Sequence, residues 1–294
     1  MPTNLTPEHA TRIELGDAIA RINRIGFDPT CAESLRHNAR TLADLGANAA
    51  FLGDVMIDAI KGGHASAATA YGPQAIMLST PQNGYFLRAN IWPSSTDAIF
   101  RSSGKSSFVY EVPHDHNFNF LTVGYFGPGY ASDYYEYEYE EVAGVRGETA
   151  ALRFVERSTL TPGKVLHYRA HRDIHTQLPP QSLSVSLNIV EANPALGWFD
   201  QYRIDLDRGT IEAALNPSAT ETFLRCGVAM GHAETCDVAT QFARQHPSDR
   251  LRLACFDAMA LASRDADAIW REAENAGSRL VAGEAYRRRK ELAV

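Results

Sequence analysis

Among the 294 residues only four are cysteine, at positions 31, 226, 236 and 255. None forms a C-x-x-C pair, and Cys226 and Cys236 stand too far apart for a zinc knuckle. A chain of this length needs no disulfide staples, so the cysteines are expected to be reduced and mostly buried. Basic residues are also short: 28 Lys and Arg face 35 Asp and Glu, for a net charge of -7. Nucleic-acid binding needs clustered cations on phosphates, and this balance argues against it. The one basic run, Arg287-Arg288-Arg289-Lys290, reads as a solvated last helical turn. No run of 18 apolar residues occurs, so no membrane-spanning helix is expected. Met1 to Leu15 is polar and lacks the apolar stretch of a signal peptide, which points to a cytoplasmic protein. Phosphate-binding and dinucleotide glycine motifs are missing. His171-Arg172-Asp173 has no Gly-rich loop or partner lysine to make it a kinase triplet. Gly124-Tyr125-Phe126-Gly127 has no serine to make it a hydrolase elbow.

Three zones remain once these classes are set aside. Residues 1–74 read as helical. Thr6 is a candidate N-cap with Pro7 at the first helical position. Apolar residues recur at helix spacing from Ile13 to Ile25 and again from Leu35 to Ile60, with Gly62-Gly63 as the stop. Residues 75–213 change to short β-branched and aromatic runs: 85–92, 108–110, 118–123, 134–142, 150–155, 164–168, 183–190 and 199–206. Turns such as Gly127-Pro128-Gly129, Pro162-Gly163 and Gly209 separate them. About eight strands at this spacing predict a sandwich or barrel. Residues 214–294 are helical again, with one helix predicted to start at Pro247-Ser248-Asp249 and another near Asp265.

Half of the ten histidines fall in the strand zone, at 114, 116, 167, 171 and 175. His9, His37, His64, His232 and His246 read as surface or capping residues. In an extended chain residues i and i+2 share a face, so His114 and His116 project side by side, within reach of one metal ion. In Tyr134-Tyr135-Glu136-Tyr137-Glu138-Tyr139-Glu140, alternation sets the glutamates on one face and Tyr135, Tyr137 and Tyr139 on the other. A glutamate facing inward needs a cation to offset its desolvation, and a metal on the His pair would supply one. Glu136 comes first as that residue, then Glu138; the bland alternative turns all three to solvent. Pro162-Gly163 then leads into a strand with His167, followed by His171, His175 and the Ser-rich run 182–188. His175, before Pro179-Pro180, ranks ahead of His171 and His167 as the third imidazole. The i, i+4, i+8 spacing of these three would also suit a zinc-binding helix, but no H-E-x-x-H accompanies it.

H-x-H, an acidic residue, a Pro-Gly turn and a distal His, in that order over about residues 105–192, resemble the cupin superfamily. The resemblance implies an α+β protein whose central double-stranded β-helix barrel is flanked by N-terminal and C-terminal helical segments. It implies one divalent metal ion, Fe(II) first, on His114, His116, Glu136 and His175. A cupin glutamate follows H-x-H within a few residues, whereas Glu136 lies 20 residues beyond His116. The His set is similar to that of thiol dioxygenases. The Pro-Gly strand is similar to the jumonji branch, whose carboxylate is here His116, so a 2-oxoglutarate requirement is not carried over. The activity that the resemblance implies is that of a non-haem oxygenase using dioxygen on a small polar metabolite such as an amino acid or derivative. The alternatives are a metal-dependent isomerase or lyase and a non-catalytic ligand sensor; cupins often pair, which implies a homodimer. Arg88, Arg153 and Arg169 are candidates to clamp a substrate carboxylate. Tyr125, Tyr135 and Tyr168 are candidate pocket walls or donors. Among these, Arg88, Tyr125 and Arg169 are the leading candidates for catalysis.

Overall fold

The computed structural model of the chain describes residues 2–61 and 74–293. The Gly62-Gly63 stop and His64 lie outside the described residues. Two compact units form, one from Met1–Tyr137 with Ala151–Pro194, the other from Glu138–Ala150 with Ala195–Val294.

In the first unit the elements run β1 (Thr3–Asn4), α1 (Leu15–Ile25), α2 (Ala32–Gly46), α3 (Phe51–Lys61), β2 (Ala75–Met77), β3 (Tyr85–Trp92), α4 (Ala98–Ser103), β4 (Phe120–Phe126), β5 (Ala131–Glu136), β6 (Arg153–Thr159), β7 (Val165–Tyr168), β8 (Asp173–Gln177) and β9 (Ser184–Glu191). A six-stranded antiparallel sheet has the order β1-β7-β4-β9-β3-β2, and a three-stranded one the order β6-β5-β8. Alternation along the long strands decides which layer each residue joins. Leu87, Ala89, Leu121, Val123, Leu187 and Ile189 pack with Ile22, Leu42, Leu45 and Phe51 of the helices. Phe86, Trp92, Phe120, Leu166, Tyr168 and Val190, on the opposite face, pack with Tyr130 and Tyr134 of the small sheet's side. The unit is therefore helices on sheet on sheet, mixed α and β with antiparallel pairing. Among the described residues, the ladder bonds divide into separate sheets.

Several sequence expectations shift. Thr6-Pro7 does not begin a helix. The Thr6 hydroxyl accepts from the Val165 backbone N–H at 2.9 Å, tying the N-terminal segment along β7, and the first helix waits until Leu15. The apolar stretch from Leu35 to Ile60 is two helices. Between them the buried Asn48 amide donates to the Ile13 carbonyl and to Glu14, each at 3.0 Å. The run at 108–110 is no strand: a 3-10 turn covers Lys105–Phe108, and Val109 is left-handed. Tyr134 to Val142 is a strand only as far as Glu136. Beyond it Tyr139–Glu141 forms a 3-10 turn, which removes the alternation on which Glu138 and Glu140 were placed.

The second unit holds β10 (Tyr202–Asp205) and β11 (Thr210–Ala214) as a hairpin, then α5 (Ala219–Ala229), α6 (Ala233–Gln245), α7 (Asp249–Ala262), α8 (Ala266–Glu274) and α9 (Arg279–Leu292). Side-chain caps start them: a Ser218–Glu221 capping box on α5, His232 on α6, Ser248 on α7, Asp265 on α8 and Ser278 on α9. Each fills an orphan N–H of the first turn. Leu224, Ala239, Phe256, Trp270 and Val281 close their core. The basic run on α9 is ion-paired as well as solvated: Arg287 meets Glu284 and Glu291, and Arg289 meets Asp267 and Glu274. The four cysteines are free, but Cys31 and Cys226 are exposed and only Cys255 is fully buried, contrary to the expectation of burial. Among the described residues no helix is long and apolar enough to cross a membrane.

Candidate metal centre

His114, His116 and His175 converge in the first unit. One nitrogen from each lies within 4.8 Å of the others, and all three side chains are buried. His116 Nε2 is 3.0 Å from His175 Nε2, which is 3.3 Å from His114 Nε2. Two different local structures bring them there. His175 sits at the middle of β8, a strand that was not foreseen, paired with Tyr134 of β5. His114 lies in no strand. It joins the other edge of β8 through a single antiparallel bridge, in which His114 N donates to His175 O at 3.1 Å and His175 N donates to His114 O at 3.0 Å. The extended Val112-Pro113-His114 segment thus lays one imidazole against the other across a closely paired bridge. His116, two residues on, shares that face and packs against Phe118 and Phe120, with ring centres 4.8 and 4.9 Å apart. Tyr168 packs against His175 at 5.0 Å and stacks on Phe120.

Burial lowers the affinity of all three rings for a proton. His114 is brought down to about 4, by burial first and then by the charge of Arg88, against a bond to the Val112 carbonyl that works upward. His116 and His175 fall well below the ordinary range, again through burial first, with His114 and Arg88 adding to it. The rings are therefore neutral near pH 7, the form that ligates metals. His114 Nδ1 stands 2.7 Å from the Val112 carbonyl. A carbonyl only accepts, so Nδ1 carries the proton and Nε2 turns its lone pair inward. That is the second-sphere arrangement expected of a metal-bound imidazole.

The donor set fits a divalent transition ion. With metal–nitrogen bonds of about 2.1 Å, two nitrogens at a right angle on one ion stand about 3.0 Å apart. The observed 3.0 and 3.3 Å match that spacing. Lone pairs aimed at one another across such a gap repel unless a proton or a cation lies between them.

The other sequence candidates go elsewhere. The Glu136 carboxylate is buried, but its cations are guanidiniums: it accepts from Arg169 at 2.6 Å and from Arg153, with Arg172 at 3.9 Å. Burial works to raise its proton affinity, yet with Arg169 beside it the carboxyl falls below the usual range. Glu138 is exposed. Neither belongs to the metal-capable group, which among the described residues is the three histidines. Arg169 is also bonded to Asp173, at 2.6 Å. Tyr125 lies on the helix side of its sheet, donating to the Asn48 carbonyl at 2.9 Å and packing edge-on against Phe51. Tyr135 packs against Phe154. His167 falls on the face of β7 opposite Tyr168, and His171 is in the turn before β8. Arg88 is the candidate whose charge acts on all three imidazoles.

One residue at the site went unremarked in the sequence. The Gln177 carboxamide lies against the His175 ring, its nitrogen 3.1 and 3.3 Å from the two ring nitrogens. Its i+2 spacing from His175 is the signal that could have found it.

No family model matches the sequence, and no curated protein matches it. Partial fold likenesses to solved structures occur. A chain from the structures of the DMSP lyases RdDddP and RnDddQII aligns at 13% identity over 43% of this chain and 50% of that one, TM-score 0.24. The present chain thus spans half the length of that neighbour. The DMSP lyase DddQ from Ruegeria pomeroyi aligns at 12% identity over 66% and 79%, TM-score 0.26. A cupin-like protein from Thermotoga maritima aligns at 10% identity over 47% and 90%, TM-score 0.25. At these scores the likenesses carry no weight of their own. The resemblance to cupins rests on the H-x-H pair and the distal histidine meeting at one point.

Proposed function

We propose that the chain is a metal-dependent enzyme of the cupin type, a non-haem oxygenase that holds one iron(II) ion on His114, His116 and His175 and acts on a small polar metabolite such as an amino acid derivative. The stacked sheets of the first unit are read as its double-stranded β-helix. The observation that carries the reading is the convergence of three buried, neutral Nε2 atoms at 3.0 and 3.3 Å. Iron(II) held by His114, His116 and His175 would supply the activation of dioxygen. The chain's own residues do the rest. The Val112 carbonyl fixes the His114 tautomer. Phe118, Phe120 and Tyr168 wall the rings and exclude water. The Arg88 charge adds to burial in lowering the proton affinity of the three rings, which favours their neutral, ligating form.

A second reading, a lyase or isomerase using the ion as a Lewis acid, is favoured by one feature. The Tyr134 and Tyr168 hydroxyls are buried and bonded to each other at 2.8 Å, beside His175. Burial raises the proton affinity of both, so they stay protonated and can offer a hydrogen bond to a ligand on the ion.

Metal analysis of protein purified without chelators tests the centre. Wild type is expected to carry about one ion per chain, and His114→Ala and His175→Ala to lose at least about nine-tenths of it. Full retention in both variants sinks the centre. Oxygen uptake by the iron-loaded protein then separates the two chemistries: a zinc-loaded, active protein indifferent to oxygen leaves only the Lewis-acid reading.

A further inference from the structure

A cavity of about 260 Å³ lies in the first unit, and none of the three converging histidines lines it. Pro2, Tyr134 and Leu166 supply its apolar wall; Glu156, Ser158 and Lys164 supply a polar one. Strand register explains why these side chains meet. Glu156 of β6 stands opposite Tyr134 of β5, and Tyr134 stands opposite His175 of β8. Residues directly opposite share a face, as do alternate residues along a strand. Glu156 and Ser158 therefore lie on the inner face of the small sheet, with His175. On the large sheet, Lys164 and Leu166 alternate with Tyr168, which packs inside. Tyr134 lines the cavity and, in the next position of the same row, borders His175.

Two opposite charges line this cavity, and neither is neutralised. The Lys164 ammonium donates to Ser158 Oγ at 2.5 Å and to the Thr159 carbonyl at 3.2 Å. These bonds tie β7 to β6 but give the ammonium no counter-anion, and one of its three N–H groups remains. Among the described residues the Glu156 carboxylate has no ion-pair or hydrogen-bond partner. Both side chains are half-buried. A charge partly withdrawn from water beside an apolar wall is stabilised by a partner. A ligand with a single charge would satisfy one of the two groups and be repelled by the other; a molecule carrying both signs satisfies both. Pockets for drug-sized ligands begin at about 300 Å³, so a cavity of about 260 Å³ suits a small metabolite.

We propose that this cavity binds a small zwitterion, with its ammonium group on Glu156 and its anionic group on Lys164. The proposal does not rest on the metal centre. Protein as purified and chelator-treated protein are each titrated by calorimetry with glycine, β-alanine and 4-aminobutyrate, and with propionate and propylammonium, which carry one charge each. In both preparations at least one zwitterion is expected to bind about tenfold or more tightly than either singly charged probe. Glu156→Gln is expected to lose about tenfold of that affinity while propionate binding holds. Absence of a zwitterion preference in wild type overturns the proposal, as does an unchanged affinity in Glu156→Gln. Binding lost on chelator treatment would place the zwitterion on the ion and overturns it too. Lys164→Met is expected to lose the preference likewise. Should that variant prove unfolded by circular dichroism, because Lys164 ties two strands, the Glu156→Gln comparison decides alone.

Discussion

The Glu136 carboxylate sits among Arg153, Arg169 and Arg172, nearly out of solvent. Removing the carboxylate leaves the three guanidiniums without their shared anion, although each keeps contact with solvent, which limits the cost. Glu136→Gln is therefore expected to lower stability by about 1–2 kcal/mol in urea unfolding while leaving metal content unchanged. Loss of the metal with stability intact would make Glu136 a ligand after all. The histidines were legible because H-x-H and a later His are local patterns of residue type. The fate of Glu136 was not, because its arginine partners come from β6 and the turn after β7, far off in sequence. Desolvation did require a cation beside an inward glutamate; the sequence could not say which cation.

At the scale of elements, the strands with strong aromatic and β-branched content, β3, β4, β7 and β9, were readable from alternation. β8 was not. Asp173-Ile174-His175-Thr176-Gln177 is short and polar, follows a turn in which His171 is left-handed, and stops before Pro179-Pro180. Its burial is imposed by neighbours on both edges, β5 and the His114 segment, which no local propensity encodes. The N-terminal segment misled for the converse reason. Thr6-Pro7 carries a valid cap signal, but pairing along β7 outweighed it. The turn between β4 and β5 was legible and is also demanding. Gly129 has φ +82°, and a Cβ there would stand 2.1 Å from the Leu160 carbonyl oxygen. Gly129→Ala is expected to cost about 2 kcal/mol or more. An unchanged thermal midpoint would show that the turn relaxes freely.

For the whole molecule, the zoning of helices, then strands, then helices was visible in the sequence, whereas the stacking of the first helices on one sheet face depends on contacts across more than a hundred residues. Buried neutral histidines also tie global stability to pH. His167 and His114 are both held near 4, chiefly by burial, against about 6.5 in an unfolded chain. Between those values the unfolded state binds more protons. The stabilisation is therefore complete above about pH 6.5 and lost as pH falls toward 4, at up to about 3 kcal/mol per group. Urea midpoints of chelator-treated protein are expected to drop clearly from pH 7 to pH 5; equal midpoints would mean that these rings are not buried in the neutral form.

The most direct measurement is X-ray absorption at the metal edge of the loaded protein. Three imidazole shells with nitrogens at about 2.1 Å are expected, collapsing when His116 is replaced by alanine. A first shell containing sulfur, or one indistinguishable between wild type and that variant, would contradict the centre.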